Sequence, residues 1–276
     1  MSEPSLIEPS ATQVTYGKYL QTDSLLSLQQ PLTQPEEHDE TLFIIIHQVY
    51  ELWFKQLLHE TSACMSFLKK GELMRVLAGF KRISAIQKVL VNQVDILETM
   101  TPDDFARFRE RLNPASGFQS SQFRVLEFTL GLKDKNYLRF FKNDPQALES
   151  LHRALEAPSL YDVFLDYLTT RNYSISREDM EAAKPFPRKP VEGIVGVFKE
   201  IYMAPYDNSD IYLTLEALMD IDENLTLWRY RHVAMVKRMI GMGMGTGGSS
   251  GSAYLTTTLE KSSCPELWEV RNHIGK

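Results

Sequence analysis

Residues 211–240 read IYLTLEALMDIDENLTLWRYRHVAMVKRMI. Ile211, Leu215, Leu218, Ile221, Leu225, Trp228, His232, Met235 and Met239 recur at three- and four-residue spacing, which is the period of one helix face. His232 stands in that stripe where an apolar residue is expected. A buried imidazole needs a partner, because leaving it unpaired costs a few kcal/mol.

The same period extends outward to about 41–69, 72–100, 117–131, 145–155, 159–170, 189–203 and 208–240. Alternating β-branched runs are nearly absent, and no Asn-Gly or Asp-Gly turn joins strand-like runs. The reading is a single all-α domain over 15–276, of about ten helices, behind a polar, disordered arm at 1–14. The Pro-rich piece KPFPRKP at 184–190 reads as a connector within it.

The chain has 276 residues, with 30 Lys+Arg against 36 Asp+Glu, a net charge of −6. Such a balance gives no support for nucleic-acid or acidic-membrane binding. Two cysteines make no disulfide framework and fit a reducing cytoplasm. The opening MSEPSLIEPSATQ has neither the basic start nor the apolar run of a signal peptide, and no transmembrane span is visible.

A second inward histidine lies on another long helix. Phe43, His47, Tyr50, Phe54 and Leu57 share one face. A lone inward histidine is ordinarily satisfied by a backbone carbonyl. Two on different helices can also flank a flat cofactor or hold a metal. Known metal patterns fail: His59-Glu60 has alanine at 63, no pair of Glu-x-x-His motifs exists, and no cysteine pair has zinc spacing. A single strong histidine ligand suits haem iron, held non-covalently because Cys-x-x-Cys-His is missing. His38, His59, His152 and His273 receive no role.

Two further features point to a small ligand. Residues 241–251, GMGMGTGGSSG, contain a G-x-G-x-x-G spacing, but they follow a helix rather than a strand, so the dinucleotide reading fails. They read either as a helix terminator or as a loop over a ligand, with Thr246, Ser249 and Ser250 offering polar groups. Ser116 and Gln119 form a capping-box pattern that predicts a helix start, with Arg109 close by in sequence. Free amides and a guanidinium suit a carboxylate. An ordinary capped helix with a surface arginine has the same sequence.

Six stretches together, TYGKYLQTDSLLSLQQPL (15–32), LFIIIHQVYELWFKQLLHE (42–60), NPASGFQSSQFR (113–124), EAPSLYD (156–162), LWRYRH (227–232) and GTGGSSG (245–251), closely resemble the tryptophan 2,3-dioxygenase family. The resemblance runs from about 15 to 272 in the same order. It implies an all-α homotetramer binding b-type haem, with O2 as co-substrate and L-tryptophan as substrate, converted to N-formyl-L-kynurenine. It implies that His232 is the axial iron ligand and that His47 is the distal, catalytic histidine at the indole N–H. Phe43 and Phe105 line the pocket, Arg109 takes the carboxylate, and Thr246 holds the amino-acid end. Ser116 and Gly117 lie at the haem edge, and Tyr16, Tyr19 and Leu20 come from a neighbouring subunit. There are two departures. Phe105 stands where many bacterial members carry tyrosine, and Met242-Gly243-Met244 lacks an expected basic residue.

Overall fold

The computed structural model describes residues 14–245 and 251–275. Two short helices, α1 (Tyr16–Leu20) and α2 (Thr22–Leu26), lead into α3 (His38–Lys69) and α4 (Leu73–Leu97). Next come α5 (Pro102–Arg109), α6 (Ser121–Leu130), α7 (Pro145–Glu156), α8 (Leu160–Thr170), α9 (Arg177–Ala182) and α10 (Glu192–Met203). The long α11 (Ser209–Ile240) follows, and α12 (Ser252–Thr256) and α13 (Pro265–Glu269) close the chain. No strand occurs among the described residues. None of their helices is long and apolar enough to cross a membrane.

Three long helices make the frame. α3 and α11 each have 32 residues, about 48 Å at 1.5 Å per residue, and α4 lies against both. Leu57, Leu68, Phe80, Ile83, Leu215, Leu218 and Ile221 from these helices are almost wholly buried together. Such a side chain contributes about 1.5–3 kcal/mol by leaving water. Several polar groups between the helices are paired across them. Gln87 Nε2 donates to the Ile221 carbonyl at 3.0 Å, Asn224 Nδ2 to Ser84 Oγ at 2.9 Å, and Tyr50 Oη to the Leu90 carbonyl at 2.9 Å. α8 and α10 add Tyr161, Phe164 and Phe198 to the same core.

Two local readings change. The pattern continues from Ser116 as one helix, but Ser116 and Gln119 cap only a 3-10 turn, Gly117–Gln119. Ser120 then caps α6, its hydroxyl accepting from Phe123 N at 3.2 Å. Two serine caps in series divide the run, each satisfying its own free amides. α5 has no long apolar stripe to reveal it, since only Phe105 and Phe108 face inward. Its start is nevertheless written in Thr101-Pro102, with the threonine hydroxyl accepting from Asp104 N at 3.2 Å and proline at the first turn.

Candidate active site

α3, α5, α6 and α11 enclose one deep cavity, with about 1640 Å³ of empty space including its mouth. Helix periodicity brings Phe43, His47, Tyr50, Glu51 and Phe54 of α3 to its wall. α11 supplies Trp228, Arg229, His232, Met235 and Met239. Phe105 and Arg109 come from the end of α5, and Ser116 and Gly117 from the turn that follows.

His232 lies deep in this space. Burial, and then the nearby His47 and Arg124, push its pKa down to about 4. The imidazole is therefore neutral near pH 7, with a lone pair free on one nitrogen. Trp228, one turn earlier, lies nearly parallel to it, with ring centroids 5.2 Å apart and planes at 16°. The indole Nε1 of Trp228 is buried without an acceptor.

On α3, His47 Nδ1 sits 2.7 Å from the Phe43 carbonyl oxygen. A carbonyl only accepts, so Nδ1 carries the proton and Nε2 is the acceptor nitrogen. Burial lowers the pKa of His47, while this hydrogen bond and Glu51 oppose that. Phe43 lies 4.1 Å from the imidazole centroid, 5.8 Å from the Phe105 ring and 5.5 Å from the Phe108 ring. Together they form an aromatic wall without a hydroxyl.

Polar groups mark two ends. At one, Arg109 Nη2 donates to the Met244 carbonyl of the glycine loop. Gly245 and Gly251 of that loop line the cavity. Gly251 has φ +59, and a Cβ there would strike the Gly243 carbonyl oxygen, so only glycine lets the two strands of the loop meet. At the other end Glu127 Oε1 accepts from Arg229 Nη2 at 2.7 Å, and its Oε2 accepts from Arg124 Nη1. Arg229 Nη1 also donates to the Lys261 and Thr258 carbonyls at 2.9 and 3.2 Å. The Arg124 guanidinium lies 3.9 Å from the Tyr137 ring centroid, with its Nε buried and unpartnered.

Phe43, His47, Phe105, Arg109, Ser116, Gly117 and His232 thus all line one cavity. Tyr16, Tyr19 and Leu20 do not. They project from the N-terminal helices at 79, 77 and 44% exposure. Thr246, Ser249 and Ser250 lie outside the described residues, as does most of the N-terminal arm. Glu51, Trp228, Arg124, Glu127 and Arg229 are cavity residues that the sequence reading missed as site groups. Trp228 and Glu51 each stand one turn from a cavity histidine, which is the signal that could have found them.

Among the described residues, no three of His, Cys, Asp and Glu gather as a metal site. A metal at His232 would therefore take its other ligands from something that is not a side chain, as a porphyrin's four nitrogens provide. A neutral imidazole, a stacked indole and a largely apolar cavity around them fit such a group. The fold and site define an all-α protein with one cavity where two imidazoles and a guanidinium meet a largely apolar wall.

A family model described as tryptophan 2,3-dioxygenase matches residues 5–172 and 188–274. A tryptophan 2,3-dioxygenase of Anaeromyxobacter sp. (strain K) is 46% identical, covering 98% of this chain and 100% of its own length. Those of Arthrobacter sp. (strain FB24) and Myxococcus xanthus are 43% and 42% identical, each over 99% of this chain and 96% and 94% of their own lengths. The chain belongs to the tryptophan 2,3-dioxygenase family and is an oxidoreductase of the dioxygenase class.

Proposed function

We propose that this chain inserts both atoms of O2 across the indole C2=C3 bond of L-tryptophan, giving N-formyl-L-kynurenine, with b-type haem held by His232. The observation that carries the reading is the pair of imidazoles from α3 and α11 in one cavity, with a guanidinium at the same cavity's wall. The haem, when bound, supplies the activation of O2. The side chains supply position, polarity and exclusion of water.

His232 would hold the iron by the lone pair that its low proton affinity leaves free. Trp228 fixes the tilt of that imidazole by stacking. Ser116 and Gly117, which line the same cavity, would contact the haem. On the substrate side, Nε2 of His47 accepts from the indole N–H, because Nδ1 is committed to Phe43. Phe43 and Phe105, stacked on each other, wall the ring system on one side. Arg109 exchanges the Met244 carbonyl for the substrate carboxylate, a charge-assisted and bidentate contact. Thr246 holds the amino-acid end.

The cavity is completed in a homotetramer by Tyr16, Tyr19 and Leu20 of a neighbouring subunit. They belong to a run of exposed apolar residues with Val14, Leu25, Leu26, Leu28 and Leu32, and such a run supports a surface covered by a partner. The free, buried Cys64 and Cys264 suit a reducing cytoplasm. An absorption spectrum taken before and after dithionite, O2 and L-tryptophan tests the whole reading. A Soret band that responds to each addition, followed by formylkynurenine absorbance in the near ultraviolet, is expected. A colourless protein after expression with ample haem, or a haem protein that leaves tryptophan unchanged, would refute it.

A further inference from the structure

Beside the deep cavity runs a shallower outer groove, walled by Leu25, Leu28, Leu52, Lys55 and Gln122 and open to solvent. His47 and Glu51 alone, among the described residues, line both. They stand one helical turn apart on α3, where side chains are neighbours. Together they form the partition between the interior and the outside.

Glu51 is held in place rather than loose. Gln122 Nε2 of α6 donates to its Oε2 at 2.9 Å and to its backbone carbonyl at 3.2 Å. The other carboxylate of the cavity, Glu127, is already engaged by two arginines. The remaining charged or titratable groups around His47 work against a positive imidazole or are neutral. They are Tyr50 and Lys55 on α3, Arg109 on α5, Arg124 on α6, Tyr137 in the 3-10 segment between α6 and α7, Arg229 and His232 on α11, and Tyr254 on α12. The cavity-lining residues of α4, Val94 and Leu97, carry no charge.

We propose that Glu51 is a positioning residue for His47: it keeps Nε2 able to hold a proton inside an apolar cavity and links that nitrogen, through water in the outer groove, to solvent. The inference rests on the reading of His47 as the group facing the indole N–H. A proton leaving that nitrogen forms the Nε2–H bond, its electron pair staying on the indole. There it exchanges by groove water with the Glu51 carboxylate or bulk, and one proton returns to the substrate nitrogen as the ring opens, because the product amide keeps its N–H. Nδ1 keeps its own proton on the Phe43 carbonyl throughout.

The test reads His47 directly. Protein labelled with [13Cε1]-histidine is loaded with haem, taken to the diamagnetic ferrous carbonyl form and titrated by NMR, with His47→Gln assigning the resonance. Glu51→Gln keeps size and hydrogen bonding but removes the charge. It is expected to lower the His47 midpoint by about half a pH unit or more, and Glu51→Asp is expected to restore most of that. The acid limb of kcat for tryptophan should move down by the same amount, with KM little changed. An unmoved midpoint in Glu51→Gln overturns the proposal, and so does lost activity at every pH with an unmoved midpoint, which marks a merely structural role. If the protein takes up no haem, the proposed function fails on that account. The same titration of the haem-free protein still decides what Glu51 does to His47.

Discussion

His232 and His47 are both imidazoles on one cavity wall or another, yet their surroundings assign them different work. Burial keeps His232 neutral and leaves its lone pair without competition from a proton. His47 has one nitrogen tied to its own helix and the other free toward the cavity. Replacing each by alanine should therefore separate two properties. His232→Ala is expected to lose stable haem binding, read as loss of the Soret band after gel filtration. His47→Ala is expected to keep that band and lose most turnover. An unchanged spectrum in the first variant, or full activity in the second, would reverse the assignments. Arg109 makes a third case, because its guanidinium already holds a neutral carbonyl, Met244 O, and a carboxylate is the stronger acceptor. Truncating one member of a buried charged contact costs about 2–5 kcal/mol. Arg109→Ala should accordingly raise KM for tryptophan strongly and leave kcat less affected. Equal efficiency with the natural side chain would sink the carboxylate contact.

The helices that carry these groups owe their closeness to small residues as much as to large ones. On α4, Gly79 faces Cys64 of α3 so closely that a Cβ would overlap the Sγ atom. Both residues are buried, so neither can swing into solvent. Gly79→Ala should destabilise the fold by about 1–3 kcal/mol, the usual cost of overpacking. Cys64→Ala in the same chain should recover much of it by vacating the space. A double-mutant cycle by urea unfolding checks this, and strict additivity of the two changes would disprove the contact as the cause. That contact was illegible in the sequence, where a lone glycine in a helical run reads only as a weak point. What was legible followed from period: the stripe holding His232 marks a buried face because 3.6-residue spacing leaves no other place for it. The resemblance to a family, not the period, attached roles to Arg109 and Ser116. Arg124 and Glu127 escaped notice because each looks like a surface charge until the partner lies three residues away on the inward side, at 6 and 4% exposure.

At the scale of the molecule, that same buried cluster fastens separate parts of the chain. Glu127 on α6 ties Arg229 on α11, and Arg229 holds the carbonyls of Thr258 and Lys261 after α12. Arg188, in the connector before α10, likewise joins Asp162 of α8 at 2.7 Å and the Gly131 carbonyl at 3.2 Å. Burial alone would raise both carboxyl pKa values, but the arginines more than offset it and hold Glu127 and Asp162 below the ordinary range. A carboxyl whose folded pKa is depressed adds stability above its unfolded value, about 4. That contribution drains away as pH falls toward the folded value. Glu266 works in the opposite sense: burial raises its pKa despite the hydrogen bond from Tyr161, so ionising it costs stability as pH rises. Glu40 and Asp104 are also held below the ordinary range, so four depressed carboxyls against one raised should leave a net loss on acidification, seen as a falling urea midpoint from pH 6 to about pH 3. Glu127→Gln should be about 3–5 kcal/mol less stable at pH 7, because two buried guanidinium groups lose their counter-charge. It should also lose less than the natural chain on going to low pH, since one of the linked protons is gone. A variant whose stability falls in parallel with the natural chain would show that Glu127 is not a source of the acid sensitivity.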